Sequence, residues 1–190
     1  MHKLRNHRIA KLVPLGMLVL ASCDAPETDQ ASLEQQAREI TQQFTSTLLP
    51  TLQAALADGG PVNAIEVCAI RAPQIADDLS SSTPWTVNRV SLKARNTDRA
   101  IPDAWERGVL ERFDADARAG MSGAALSEAA MIDGEFRFMQ AQVAMPLCLT
   151  CHGENISEDV SAALRQHYPN DLATGYSAGE VRGAISLRKK

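Results

Sequence analysis

The feature that most constrains this chain is the segment Cys148-Leu149-Thr150-Cys151-His152, a C-x-x-C-H pattern. Two thiols three positions apart can form thioethers with both vinyl groups of one porphyrin, and the adjacent histidine then supplies a ring nitrogen to the iron. The pattern predicts one covalently attached haem c, with Cys148 and Cys151 as attachment points and His152 as an axial ligand. The rest of the fold then has to accommodate an iron porphyrin.

Two other chemistries use closely spaced cysteines. A structural zinc site takes four nitrogen or sulfur ligands, usually in paired clusters, and the chain has no second C-x-x-C and no H-x-x-x-H. A thioredoxin-like dithiol needs no following histidine and usually lies in a βαβ setting. Both stay open as alternatives, and haem attachment is favoured because it gives all three residues a role.

The N-terminus has the pattern of an export signal. Residues 1–11 contain four Lys and Arg and no acid, and an apolar run follows from Leu12 to Ala21. The run is shorter than the roughly 20 residues that a membrane-spanning helix needs, but it has the length of the apolar part of a signal peptide. It ends in Leu20-Ala21-Ser22-Cys23, which resembles a bacterial lipobox. We predict a lipoprotein signal peptide over residues 1–22 and a lipid-modified Cys23; an ordinary signal peptide, with that cysteine incidental, is the alternative.

A lipid on Cys23 would anchor the protein to a membrane surface without spanning it. Covalent haem attachment in bacteria takes place outside the cytoplasm, so both signals predict the periplasmic side of the cell membrane. Asp24 after the cysteine favours the inner membrane. Residues 23–31 are polar and predict a flexible tether, followed by a single domain over residues 32–190.

The charge of the chain argues against one class of partner. The formal net charge is −4, and without the four basic residues of the signal peptide, 15 Lys and Arg remain against 23 Asp and Glu, a net charge of −8. Nucleic-acid binding rests on cationic contacts to phosphate, so we expect no nucleic-acid partner. The predicted partners are membrane lipid, through Cys23, and an unidentified redox or signalling protein.

The pattern of apolar residues predicts an α+β fold, an antiparallel sheet flanked by helices. Apolar residues recur at helical spacing from Ser32 to Leu56, Asp58-Gly59-Gly60 ends that long N-terminal helix, and Pro61 begins a second one. Asp133-Gly134 is a hairpin turn signal between two strands. The other predicted helices cover residues 102–118 and 158–167, and the predicted strands cover residues 85–92, 124–132, 135–145 and 181–187.

Four stretches together resemble a family of bacterial PAS-like haem c domains, and the resemblance covers nearly all of the chain after the signal peptide. It implies one haem c on a PAS-like sheet with histidine and cysteine as axial ligands, here His152 and Cys68. Thr97 follows Arg95-Asn96 where the family usually has proline, which leaves the shape of that loop open. The four stretches are Val67-Cys68-Ala69-Ile70-Arg71-Ala72-Pro73, Ser91-Leu92-Lys93-Ala94-Arg95-Asn96, Cys148-Leu149-Thr150-Cys151-His152-Gly153, and Tyr168-Pro169 through Gly175-Tyr176 to Arg182-Gly183-Ala184-Ile185.

The residues themselves leave the second axial ligand open. Cys68 is the only thiol without another assignment and lies on the apolar stripe of the second helix, although free cysteine is commonly just a small buried hydrophobe. Met145 lies too close to Cys148 in sequence to reach the opposite haem face, and His167 lies in a polar stretch. These two, another methionine or an open sixth position are the alternatives to Cys68. The other methionines outside the signal peptide, expected in the core, are Met121, Met131 and Met139.

Three basic residues, Arg89, Lys93 and Arg95, are candidates for contacts with haem propionates, because arginine offers a carboxylate two parallel hydrogen bonds. A solvated basic loop is the alternative. We expect no enzyme: the sequence shows no catalytic triad, phosphate loop or carboxylate pair, and a peroxidase would need an open sixth position with a distal acid–base pair. The predicted function is a membrane-anchored monohaem redox or small-ligand sensor, with an electron carrier as the alternative.

Overall fold

The computed structural model describes residues 25–189, with side chains from residue 29 onward. The predicted signal peptide over residues 1–22 and the predicted lipid site at Cys23 lie outside this range. Within it, no helix combines the length and the apolar character needed to cross a membrane.

The first element, α1, runs from Ala25 to Ser82 and breaks at Gly59 and Gly60, which leave helical geometry. Gly60 has φ +72°, a conformation that glycine adopts without steric cost. Across the break the Asn63 side-chain amide donates to the carbonyl of Ala55 at 2.9 Å. The predicted break is confirmed, and it separates a first limb (residues 25–58) from a second limb (residues 61–82).

The first limb begins earlier than the sequence predicted. The expected start was Ser32, but the helix already includes residues 25–31, which had been assigned to the tether. Pro26 lies in its first turn, where the fixed φ of proline suits a helix and its missing N–H costs nothing. The helix therefore replaces most of the predicted tether.

The sheet has four antiparallel strands in the order β1-β4-β3-β2. Asp133 and Gly134 join β2 to β3 with φ +52° and +82°, the paired positive values that a tight two-residue hairpin requires. All four predicted strands are present, and their ends differ from the predicted ones by a few residues. The strands are β1, Trp85–Val90; β2, Ser127–Ile132; β3, Glu135–Val143; and β4, Val181–Lys189.

Each face of the sheet packs against a helix, because side chains alternate between the two faces of a strand. On one face, Trp85, Phe138 and Leu187 pack against Phe44 and Ile75, one residue from each limb of α1. The two limbs therefore lie side by side as a helical hairpin.

The other face packs against α2, Ala104–Arg118, through an apolar cluster that includes Phe113 and Met139. Asp103 caps this helix in a reciprocal capping box with Glu106. The same two carboxylates form ion pairs with Arg137 and Arg188 of the sheet. The predicted helix over residues 102–118 is confirmed, and it begins at Ala104, directly after its cap Asp103.

Two short helices complete the fold. The motif residues form one turn of helix, α3, Leu149–His152, and the predicted helix α4, Glu158–His167, is present as expected. Val160 and Leu164 of α4 pack against Ile65 of the second limb. This contact brings the segment after the motif against the same limb that carries Cys68.

Candidate functional site

A cavity lies between α1, one end of the sheet and the turn that carries the motif. It encloses about 1280 Å³ of empty space, including the part that opens to solvent. Cys148, Cys151 and His152 line it together with Cys68 from the second limb of α1. The motif and the unassigned thiol, far apart in sequence, therefore face the same space. The first limb contributes an apolar wall of Leu48, Leu52 and Leu56.

The sheet changes character where it meets the cavity. Arg89, Gln142 and Gly183 continue the face of β1, β3 and β4 that packs against α1, and all three line the cavity. Gly183 has φ +156°, and a Cβ there would lie 2.5 Å from the carbonyl oxygen of Val90. The apolar core therefore ends at a polar surface, which forms the floor of the cavity. In this floor the strand between β1 and β3, β4, contributes Gly183, which has no side chain.

His152 is held in one defined state. Its Nδ1 lies 2.7 Å from the carbonyl oxygen of Ala173, which can only accept a hydrogen bond, so Nδ1 carries the hydrogen. Burial, then the charges of Arg182 and Arg95, lowers the pKa of His152 to about 2, so the ring is neutral at physiological pH. A neutral imidazole whose other nitrogen keeps its lone pair is the form that binds a metal.

The segment after α4 wraps around the motif. The backbone N–H of Tyr176 donates to the carbonyl of His152 at 2.9 Å, and that of Gly175 donates to the carbonyl of Gly153 at 3.0 Å. The ring of Tyr176 meets the His152 ring edge-on, with centroids 6.4 Å apart. The segment therefore fixes both the backbone and the ring of the histidine.

Arg95 was predicted to contact a propionate, but its guanidinium already has protein partners beside His152. Its Nε donates to Asp171 at 3.1 Å, and its Nη2 donates to the carbonyl oxygens of Cys151 at 2.6 Å and Ala173 at 3.2 Å. Arg95 lines the cavity, yet these bonds make it part of the support of the motif. Sequence spacing could not indicate this, because all three partners are more than fifty residues away.

Three other arginines line the cavity. Arg99 pairs with Asp77, whereas neither Arg89 nor Arg182 forms an ion pair with a carboxylate in the part of the chain that the structure describes. Arg89 donates from Nε to Gln142 at 2.9 Å, and burial together with the charge of Arg182 lowers the pKa of Arg89 to about 9. The Nε of Arg182 is buried with no hydrogen-bond partner, and burial lowers the pKa of this guanidinium too. The site thus holds two cations that lack an anion.

Sequence reasoning selected Arg89 and missed Arg182. The only signal was the position of Arg182 beside Gly183 in one of the quoted stretches. Lys93, the third predicted propionate contact, also lines the cavity. Its ammonium lies 4.7 Å from the centre of the Tyr176 ring and 3.4 Å from the carbonyl of Thr174, so it too has contacts with the segment around His152.

The sequence model of the family described as Tll0287-like matches residues 24–189. The chain belongs to the Tll0287-like family. Among solved structures, the crystal structure of the cyanobacterial haem-protein Tll0287 superposes with a TM-score of 0.59 at 20% identity, over 86% of this chain and 95% of that chain. The predicted α+β, PAS-like fold is therefore confirmed. The search of curated proteins found no match.

The alternative axial ligands do not line the cavity of this Tll0287-like domain. Met139 is fully buried on the opposite face of the sheet, as expected of a core residue. Met121 and Met131 were also expected in the core, which is wrong: they are 48% and 57% exposed. Met145 is 49% exposed, and within the described range neither it nor His167 borders the cavity.

Cys68 is the remaining candidate that the cavity contains. Burial raises the pKa of its thiol, and the positive charges of Arg89, Arg182 and Arg95 oppose that shift. Cys68 is not in a disulfide. The described residues bring together no group of three or more His, Cys, Asp or Glu able to hold a bare metal ion.

Proposed function

We propose that this chain binds one haem c in the cavity, attached through Cys148 and Cys151, with His152 and Cys68 as axial ligands. One observation carries the proposal: the neutral histidine, both motif thiols and the thiol of Cys68 border a single cavity. The solved relative of the same fold is named as a haem protein, which supports the choice of ligand.

The residues around the cavity fit such a group. Haem has an apolar face and edge, matched by the wall of Leu48, Leu52 and Leu56, and two carboxylates, matched by the unpaired cations. We assign the propionates to Arg89 and Arg182, and not to Arg95, because neither has a carboxylate partner among the described residues. The buried Nε of Arg182 has no acceptor at all, which costs about 1–3 kcal/mol. A carboxylate beside Arg182 would remove that cost.

When bound, haem supplies one-electron redox chemistry, and the chain sets its potential through the axial ligands. Axial ligands move haem potentials over about 0.8 V. A thiolate stabilises ferric iron, and a shift of about 0.2 V corresponds to ~4.6 kcal/mol at ~59 mV per tenfold change. Exposed charges contribute at most ~1 kcal/mol each. Cys68 therefore outweighs any surface residue as a determinant of the potential.

We infer that the protein is a redox sensor. A thiolate that binds ferric iron more strongly than ferrous iron makes ligation depend on oxidation state, and Cys68 lies on the second limb of α1, which packs against both the sheet and α4. Release of Cys68 from the iron would free the second limb, which forms one wall of the cavity. The change would then extend to the surface of the helical hairpin. An electron carrier, the alternative, would keep both ligands in both oxidation states.

We also propose that the protein is a lipoprotein on the periplasmic side of the cell membrane. Lipid labelling of the wild type, compared with Cys23→Ala, tests this proposal. The export pattern and the site of haem attachment support this location. We assign it no enzymatic activity, because Cys68, if it holds the iron together with His152, would occupy the position that a substrate such as peroxide needs. Signalling would require a separate protein partner.

A pyridine haemochrome assay on protein matured in the periplasm tests covalent attachment. The wild type should retain one haem per chain through acid–acetone extraction, and Cys148→Ser with Cys151→Ser should retain none. Optical and electron paramagnetic resonance titration then separates the two functions. A sensor changes its ligation on reduction, whereas an unchanged six-coordinate spectrum in both states would overturn the sensor in favour of the carrier.

A further inference from the structure

His152 is connected to a carboxylate through Ala173. The carbonyl of Ala173 accepts the Nδ1 hydrogen of His152 at 2.7 Å. The N–H of the same residue donates to Oδ1 of Asp171 at 2.8 Å, an Asx turn that closes over two residues. The Asp171 side chain is 9% exposed, so water competes little for this bond.

The Asp171 carboxylate also binds Arg95, whose guanidinium lies beside the other ring nitrogen of His152. Oδ2 of Asp171 accepts from Nε of Arg95 at 3.1 Å, and Nη1 of that arginine lies 3.4 Å from Nε2 of His152. Arg95 in turn donates to the Cys151 carbonyl at 2.6 Å. One carboxylate therefore orients the acceptor at Nδ1 and one of the two cations beside Nε2, the other being Arg182, whose Nη1 also lies 3.4 Å from that nitrogen.

We propose that Asp171 is the positioning residue of His152: through Ala173 and Arg95 it determines which ring nitrogen carries the hydrogen and how the ring is turned. Its role toward iron rests on the proposed haem function. A partner that fixes the protonated nitrogen of a ligating histidine also raises the basicity of the other nitrogen. Losing such a partner typically lowers metal affinity or activity 10–100-fold. Without Asp171, the Ala173 carbonyl would lose the turn that orients it.

The test compares three variants of the haem-loaded protein. Asp171→Ala removes both the turn and the ion pair. Asp171→Asn keeps an oxygen that can accept from the Ala173 N–H but loses the ion pair with Arg95. Glu180→Gln is the charge control, because this acid belongs to the same segment but accepts from the Ser177 N–H at 2.9 Å, away from the chain of bonds to His152.

We expect the midpoint potential to rise in Asp171→Ala by about 59 mV or more, which is a tenfold change for a one-electron couple, since a less basic histidine stabilises ferric iron less. The g-values of the ferric protein should change with the ring orientation. Asp171→Asn should give a smaller shift, and Glu180→Gln should change neither quantity beyond the effect of one surface charge.

Equal shifts in Asp171→Asn and Glu180→Gln with unchanged g-values, or no shift in any variant, would overturn the positioning role while leaving haem binding intact. If Asp171→Ala does not fold, the comparison of Asp171→Asn with Glu180→Gln decides the matter alone. The haemochrome assay distinguishes the two failures: wild-type protein without haem overturns the proposed function, and with it this inference, whereas haem retained without these shifts overturns this inference only.

Discussion

Gly183→Ala tests the floor of the cavity, because β4 passes between β1 and β3 at this point. A Cβ at Gly183 would lie 2.5 Å from the carbonyl oxygen of Val90 and 3.2 Å from Cβ of Ser91. The first distance is far inside van der Waals contact, and the carbonyl belongs to backbone that cannot rotate away. Because β4 pairs on both edges, it cannot move from β1 without disturbing its ladder with β3.

Two costs add in this variant. A non-glycine residue in a sparsely populated backbone region costs about 1–3 kcal/mol, and forcing an extra group into packed space costs another ~1–3 kcal/mol. We expect Gly183→Ala to lose about 2–6 kcal/mol of unfolding free energy. For a protein of this size, each kcal/mol shifts Tm by roughly 2–4 °C, so Tm should fall by about 4–24 °C.

Gly179→Ala is the matched control, since Gly179 also has a positive φ, +92°, but an added Cβ would meet nothing within 4 Å. The unfolding free energy of Gly179→Ala should therefore fall only by the backbone cost of about 1–3 kcal/mol. Urea unfolding followed by circular dichroism measures both, with equal m-values as the check that the same surface is exposed. If the two variants lose the same free energy, the close approach of Gly183 to Val90 is not what excludes a side chain.

Three further predictions concern the ligand, the cations and acid stability. Cys68→Ala should change the optical spectrum and raise the potential by about 0.1 V or more, within the range that axial ligands command. Arg182→Met should lower the potential, by about 59 mV for each ~1.4 kcal/mol of lost charge interaction, because removing a cation favours the ferric state. Asp103→Asn should reduce the acid sensitivity of folding: burial raises the pKa of Asp103, but the backbone N–H that it caps and two neighbouring arginines lower it more. Its stabilisation is therefore present above the unfolded-state pKa near ~3.9 and is lost as the pH falls through the lower folded-state value. The unfolding free energy of the wild type should consequently drop more between pH 7 and pH 3 than that of Asp103→Asn.

Each of these has a control in the chain. An unaltered spectrum and potential in Cys68→Ala would end the proposal of thiolate ligation. Arg165→Met removes an exposed cation from the last turn of α4. If it shifted the potential as much as Arg182→Met does, the location of Arg182 in the cavity would not be the cause of the shift. Glu111→Gln, at an exposed site on α2, should leave the acid-induced loss as in the wild type; the opposite result would contradict the role of Asp103.

The helices, the hairpin and the break in α1 followed from local rules. Gly59-Gly60 and Asp133-Gly134 indicate a helix break and a tight turn from the local sequence alone. The spacing of apolar residues identified the other helices and strands. The start of α1 was misjudged because polar composition alone does not prevent a helix from continuing. Met121 and Met131 were placed in the core by residue type, yet exposure depends on which face of the fold a position occupies.

The support of the candidate site could not be predicted in the same way. Asp171 and Arg182 carry no motif signal of their own, and the protein partners that make Arg95 part of the support of the motif could not be read from the sequence. Arg95 and Asp171 bind each other across 76 residues, and Arg182 lies beside His152 across 30 residues. Over such distances sequence spacing carries no geometric information.

The sequence by itself was enough to predict the attachment chemistry, since Cys148, Cys151 and His152 are fixed relative to one another by a few peptide bonds, and to predict the α+β order of elements. Only the tertiary structure decided that Cys68 shares a cavity with them, that two arginines there lack an anion, and that His152 presents Nε2 as a neutral base. The reason is physical: hydrogen bonds and burial act between surfaces that meet only when helix, sheet and loop have packed together.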